Sequence, residues 1–406
     1  MSGWTASDPY NNATANPAGQ HGFDANMSKI LSPFFDAADA RATIEACGAQ
    51  MHDDPHGPQA RFAESPPEAA AATGAGGPAA EADALRRGSL SVLADWGIVS
   101  VSGDEAARFL HAQTTNDIEQ QGADELRLNG YCTAKGRLLA GGPLWRDGAA
   151  LRFAVSRPLA EPLRKRLSMF VLRAKARVED VSGAFAIFGL TGEAAPAALR
   201  ELGIEAPAPL RCARASMAVA ADGPLAAGFA PVEGIGVRYW LVVPNASLGS
   251  IWRSLAQRLS TVSSDWWRTT EILAGEPRIV PATSESFIPQ TLNWELIGGV
   301  SFRKGCYPGQ EIVARMHYRG KPKRRTFVGH LAAGPAPAPG DDLITDGANE
   351  PAGVVVSSAP SPDGGTVLLY EAAIDSALHG GLRLPDGRPV EPRTLPYPIP
   401  TEALAQ

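Results

Sequence analysis

Residues 287–325 read FIPQTLNWELIGGVSFRKGCYPGQEIVARMHYRGKPKRR. Within this stretch, Lys304-Gly305-Cys306-Tyr307-Pro308-Gly309-Gln310-Glu311 sets a single thiol between two glycines. Gly305 and Gly309 give the backbone conformations closed to other residues, so Cys306 is expected on a tight turn. Lys304 beside it favours the thiolate, the form that attacks electrophiles and binds metals. A lone cysteine also packs well as a small buried hydrophobe, and spacing alone leaves both readings open. The sequence identifies no general base, so a redox, sulfur-transfer or transient iron–sulfur contact suits Cys306 as well as nucleophilic catalysis does.

Downstream of this stretch the chain changes character. Short strands at 327–331, 353–357, 366–370 and 382–384 are separated by Pro, Gly and Asp turns, which predicts a small β-barrel. Upstream, a strand at 97–101 leads into Ser102-Gly103-Asp104-Glu105, a capping-box pattern that opens a helix. Ala106, Phe109, Leu110 and Gln113 share one face of that helix. Strands follow at 125–132, 137–145 and 150–156, then a helix at 159–171 and strands at 176–181 and 184–190. A helix after Gly192, strands at 213–219 and 237–243, and helices at 247–259 and 265–274 complete the series. Runs of adjacent strands broken by helices specify an α+β fold and not a βαβ repeat. Residues 1–86 are expected to be largely disordered. The stretch 55–82 is mostly Ala, Gly, Pro and Glu, and it cannot bury enough apolar surface to offset its ordering entropy. The expected organisation is an extension at 1–86, a mixed α/β domain at 87–322 and a β-barrel at 323–406.

Composition narrows the setting. The chain has 406 residues, 44% of them hydrophobic and 20% charged, with a net charge of −6, so no global affinity for polyanions follows. Cys47, Cys132, Cys212 and Cys306 are far apart, with no C-x-x-C pair and no His cluster at ligand spacing. No metal site or disulfide framework is therefore expected, and a reducing compartment is. The first basic residue is Lys29 and no apolar leader precedes it. No run approaches the ~18 apolar residues of a membrane span. The expectation is a cytoplasmic protein with no membrane partner. Neither G-x-x-x-x-G-K-[ST] nor a strand-anchored G-x-G-x-x-G is present, so nucleotide folds start weak.

The motif resembles the signature of the YgfZ family, K-G-C-[YF]-x-G-Q-E followed by a basic segment. The resemblance is distributed along the chain. It includes Ala94-Asp95-Trp96, the run from Phe109 to Asp117, Cys132-Thr133-Ala134-Lys135-Gly136, the upstream Phe287-Ile288-Pro289-Gln290, and Leu395-Pro396-Tyr397 near the end. It implies an aminomethyltransferase-like, folate-binding fold of mixed α/β subdomains with a C-terminal β-barrel. The implied cofactor is tetrahydrofolate. The implied role is accessory, supporting assembly or repair of iron–sulfur clusters in client enzymes, including those that modify tRNA, with Cys306 and Lys304 as the functional pair.

A pterin needs a flat aromatic wall and a few polar groups at its edge. The resemblance assigns that wall to Trp96 and Trp267, with Gln290, Asn293 and Glu271 as polar partners. Tyr307, Gln310, Glu311 and Arg315 are carried over as further cofactor contacts. The rival function is one-carbon transfer by a folate-dependent aminomethyltransferase. In that enzyme an Asp-Asp pair follows the segment matching Lys135-Gly136, whereas this chain has Ala140-Gly141 there, which offers neither charge nor a proton acceptor. From Arg303 to Arg325 there are eight Lys or Arg residues against one acid, Glu311. A solvated surface, attraction of a folate polyglutamate tail, and RNA backbone contact compete to explain this run. RNA is the weakest of the three, since Tyr307, Tyr318 and Phe327 offer few stacking platforms.

Overall fold

The computed structural model describes residues 49–54, 57–62, 78–215, 223–320, 322–345, 350–379 and 381–400. Cys47 lies outside them. Strand β1 (Ala49–Asp54) pairs antiparallel with β2 (Gly57–Phe62). Helix α1 (Pro78–Arg87) follows, and then β3 (Ser89–Val92). Both the hairpin and α1 fall inside the segment 1–86, expected to be largely disordered; the rest of that segment lies outside the described residues. The order of α1 has a tertiary reason that composition hides. Leu85 and Ala84 of α1 pack on Val232, Ile235, Val262 and Trp266. The Glu81 carboxylate accepts from the Ser263 amide at 3.1 Å and from Trp266 Nε1 at 2.7 Å.

Strands β4 (Trp96–Ser102), β5 (Leu126–Cys132), β6 (Leu138–Asp147), β7 (Ala150–Ser156) and β8 (Arg177–Asp180) form an antiparallel sheet in the order β5-β6-β7-β4-β8. Helices α2 (Ala106–His111) and α3 (Arg157–Ser168) cover it. Helix α3 begins with a proline in its first turn, where the missing amide costs no hydrogen bond. It buries Ala160, Leu163 and Leu167 at helical spacing. The expected capping box at Ser102 does not form. Ser102 stays in β4 and pairs with Arg177, while the Glu105 carboxylate accepts from the Lys175 amide at 2.8 Å.

A second sheet is built from β9 (Phe185–Thr191), β10 (Cys212–Arg214), β11 (Leu225–Val232), β12 (Gly236–Pro244) and β13 (Ser260–Thr261) together with β3, in the order β10-β11-β12-β9-β3-β13. Helices α4 (Ala195–Glu201) and α5 (Leu248–Ala256) pack on it through Leu199, Leu248, Ile251 and Leu255. Helix α6 (Ser264–Leu273) is buried along almost its whole length, including Asp265, Arg268 and Glu271. Charges in such a place must be paired, and their partners are described below.

Helix α7 (Gln310–Tyr318) links this body to the C-terminal sheet of β14 (Arg324–Leu331), β15 (Asp342–Thr345), β16 (Pro351–Pro360), β17 (Thr366–Ala373), β18 (Leu382–Arg383) and β19 (Glu391–Arg393). Its order is β18-β15-β16-β17-β14-β19, with the short helix α8 (Ile374–Leu378) after β17. The sheet is an antiparallel half-barrel, curled until its ends touch where the Val390 amide donates to Leu382 O at 2.9 Å. The α+β class and the C-terminal β-structure read from the sequence are both present. Among the described residues no helix is long and apolar enough to cross a membrane.

Candidate functional site

The segments that carry the family resemblance are far apart in sequence and meet in space. The run 113–117 docks on 298–304: Thr115 Oγ1 donates to Gly299 O at 2.7 Å, Asn116 Nδ2 to Gly298 O at 2.7 Å, and the Ser301 amide to Thr115 O at 3.0 Å. Gly309 caps α7 in the left-handed region, at φ 82°. A Cβ on Gly309 would stand 2.4 Å from Thr133 O and 2.6 Å from Gly136 Cα. Only glycine allows that turn to lie on the Thr133–Gly136 loop. Gln290 Nε2 then ties the following helix down by donating to Val313 O at 2.7 Å.

This framework leaves Cys306 exposed, whereas Cys132 is buried. Burial pushes the Cys132 thiol up to about 12, so it stays protonated as a core side chain. Lys304 does not reach outward to the thiol. Its Nζ donates to His111 O and, at 2.5 Å, to Thr114 O, and it lies 4.9 Å over the Tyr307 ring. The lysine therefore clips the C-terminal end of α2, where free carbonyls favour a cation. Sequence reasoning missed His111, which is remote from the motif in sequence. Its Nε2 lies 3.6 Å from where a Cβ on Gly305 would be, and its Nδ1 lies 3.3 Å from Asp117 Oδ1. An imidazole and a carboxylate thus stand beside the loop that carries the thiol.

Burial pulls the Lys304 amine down to about 8, against the opposing pull of Asp117, Glu119 and Cys306. The unfolded chain holds this proton to about 10.5. Between these values the unfolded state binds more protons, so the stability supplied by Lys304 rises with pH across that window. Lys304→Met removes two charge-assisted hydrogen bonds and is expected to cost about 2–4 kcal/mol near neutral pH. Urea denaturation should show the gap from wild type widening between about pH 8 and about pH 10.

The tryptophans lie in an aromatic cluster with Trp145, Phe229 and Trp240, the Trp96 ring standing over Gly142. Trp96 meets Trp240 edge to face at 4.7 Å. Trp267 Nε1 donates to Glu271 Oε1 at 2.8 Å. Arg278, which sequence reasoning did not single out, organises this group. Its guanidinium sits 4.1 Å over the Trp96 ring, bonds Glu271 at 2.7 and 3.0 Å, and pairs with Asp95. Arg268 adds bonds to Asp95 at 3.3 Å and to Asp265 at 3.1 Å. Burial works against the charge of Arg278, but the Asp95 and Glu271 carboxylates outweigh it and raise its proton affinity.

The other expected ligand contacts have different surroundings. Asn293 Nδ2 donates to Thr326 O at 2.8 Å, bracing the 289–293 turn against β14. Tyr307 is buried beneath Lys304, and burial raises its phenol. Gln310 opens α7, and Glu311 and Arg315 are exposed along it. The basic run is partly consumed within the fold. Arg324 pairs with Glu371 at 2.7 Å, and Arg325 with Glu295 at 2.5 Å.

Position 141 explains why no acid stands there. Gly141 pairs with Gly130 across β5 and β6, and the buried Trp294 indole lies over both. A Cβ at Gly141 would be 2.2 Å from Trp294 Cη2. Ala140 points into the core beside Tyr131 and Leu144. Among the described residues no group of three or more His, Cys, Asp or Glu is placed to hold a metal.

No family model matches the chain. The tRNA-modifying protein YgfZ of an Escherichia coli strain is 30% identical over 283 residues, covering 69% of this chain and 84% of that protein. Its Yersinia pestis counterpart is 33% identical over 296 residues, covering 71% and 87%. Among solved structures, the glycine cleavage system aminomethyltransferase T from Bartonella henselae superposes with a TM-score of 0.66 over 87% of this chain and 95% of that one. At 15% identity it speaks for the fold alone. A third of the aligned positions shared over most of each relative's length, with the motif segments joined into one structural unit, shows that the chain belongs to the YgfZ family of tRNA-modifying proteins.

Proposed function

We propose that the chain is a tetrahydrofolate-binding accessory protein that supports iron–sulfur cluster assembly or repair, including in tRNA-modifying enzymes, through Cys306. One observation carries this reading. The thiol is exposed on a loop fixed from several sides, while the place of the transferase acid is filled by Trp294. An accessible thiol without the acid suits sulfur, redox or transient cluster contact better than one-carbon transfer.

The residues near Trp96 fit a pterin in kind. Trp96 Nε1 is buried and finds no acceptor among the described residues. Beside it lie the Arg278 guanidinium and the Asp95 and Glu271 carboxylates, which can fix the polar edge of a planar heterocycle. Trp96, Trp267 and Glu271 would hold the ring, and the basic surface of α7 would attract a polyglutamate tail. Tetrahydrofolate would bring the ring nitrogens that take up one-carbon units. A polyglutamylated folate and iron–sulfur client enzymes are therefore the proposed partners.

The test separates the ligand from the thiol. Cys306→Ala should bind tetrahydrofolate like wild type in calorimetry and melt at the same temperature. In cells lacking the protein it should leave iron–sulfur enzyme activity at the level of the deletion. Full complementation by Cys306→Ala would remove the thiol from the function, and absence of folate binding by wild type would remove the cofactor.

A further inference from the structure

Of the three aromatics in and beside the basic stretch, two are buried: Tyr307 is 7% and Phe327 9% exposed. The fold supplies a stacking platform elsewhere. Phe302, on the loop before the motif, stacks on His317 near the end of α7, with centroids 3.6 Å apart and planes 12° from parallel. Tyr318, 69% exposed, stands edge-on to both, at 4.8 Å from His317 and 6.1 Å from Phe302. His317 is exposed as well. Phe302 is half-buried against the core, so the open faces of this corner are those of His317, stacked on it, and of the perpendicular Tyr318. Such a corner can take the face of an unpaired base and touch its edge.

Charge surrounds this corner. Arg303 follows Phe302 in the chain, Arg315 lies one helical turn before Tyr318, and Arg319 comes directly after it. Lys323 follows in the next loop, and Lys135 lies across the contact between Gly136 and Ile312. All five are exposed, and among the described residues none has an ion-pair partner. Other basic residues of the same run are held by Glu371 and Glu295. Stabilisation of the α7 C-terminus accounts for one or two cations. It does not account for solvent-exposed rings among them.

We propose that this face binds single-stranded RNA, with a base on the Phe302–His317–Tyr318 corner and phosphates along Arg303, Arg315, Arg319 and Lys323. Double-stranded RNA offers its bases poorly to such a corner, whereas loops and ends present them unstacked. Helix α7 spans about 13 Å by its rise per residue. The RNA face therefore lies at one end of the helix whose other end follows the Cys306 loop. The binding does not use the thiol.

Fluorescence anisotropy with the full chain, a labelled single-stranded RNA of mixed sequence and the corresponding duplex tests this. The single strand should bind more tightly than the duplex at low salt, with affinity falling steeply as salt rises. Tyr318→Ala should weaken single-strand binding about tenfold without changing the melting temperature. Arg319→Gln should reduce the salt slope by about one. Cys306→Ala should retain full RNA affinity, which keeps this result separate from the complementation test. Equal affinity for duplex and single strand, with Tyr318→Ala unchanged, would reduce the face to a general polyanion surface. No binding at low ionic strength would overturn the proposal outright.

Discussion

Gly141→Asp, which introduces an acid into the glycine slot under Trp294, should lower the melting temperature by roughly 10 °C. Trp294 is 1% exposed and lies against three glycines. Its ring atoms are 2.2 Å from an added Cβ at Gly141, 3.1 Å from one at Gly130 and 2.9 Å from one at Gly299. Forcing in a side chain costs about 1–3 kcal/mol in overpacking. An unpaired carboxylate there adds a desolvation penalty of several kcal/mol more. Strand pairing blocks escape, because Gly130 and Gly141 face each other in register. Trp294→Ala alone is expected to cost about 3–5 kcal/mol through its cavity. The double variant should cost less than the sum, because the removed indole makes room for the acid. If Gly141→Asp melted like wild type, the glycine slot would not be what excludes the acid. If it also formed methylenetetrahydrofolate from an aminomethyl donor, the transferase reading would return.

This slot marks the limit of what the sequence disclosed. The absence of acid at Ala140-Gly141 could be read directly, but its cause could not, because Trp294 lies some hundred and fifty residues away and reaches Gly141 from the turn after 289–292. The same division runs through the fold. Strands β5, β6, β7 and β12 were legible because branched and aromatic residues recur along them. Strand β11 was not, because LAAGFAPV is mostly small residues. Helix α7 was missed because only Val313 on it is buried, which leaves no apolar periodicity, and because its cap is a left-handed glycine. Helix α1 is not legible in the sequence, because its ordering comes from Trp266 and Ser263, contacts that composition cannot reveal. At the site, the motif sets Cys306 between two glycines, and whether that loop exposes or buries the thiol cannot be read from it; the fold leaves it exposed. Nothing local indicates that the Lys304 amine turns inward to the carbonyls of His111 and Thr114. Phe302 and His317 could not be paired from sequence at all, for their stacking follows from how the loop before the motif folds back on α7.

Arg278→Met is expected to destabilise the chain by about 3–5 kcal/mol, the usual cost of removing one partner from a buried ion pair. The guanidinium is the shared cation of Asp95, 2% exposed at its side chain, and Glu271, 9% exposed. It also covers the Trp96 ring at 4.1 Å, a cation–π contact of about 2 kcal/mol in a dry site. Methionine keeps most of the volume, so the loss reports charge and not a cavity. In the variant Glu271 loses the Arg278 cation, while Asp95 keeps its bond to Arg268 at 3.3 Å. Adding Glu271→Gln should recover much of the stability, because the carboxylate left without that cation is then gone. A loss that the amide fails to relieve would mean that Arg278 acts by packing on Trp96. The ion network would then be incidental to how this aromatic cluster, and any ring bound within it, is held.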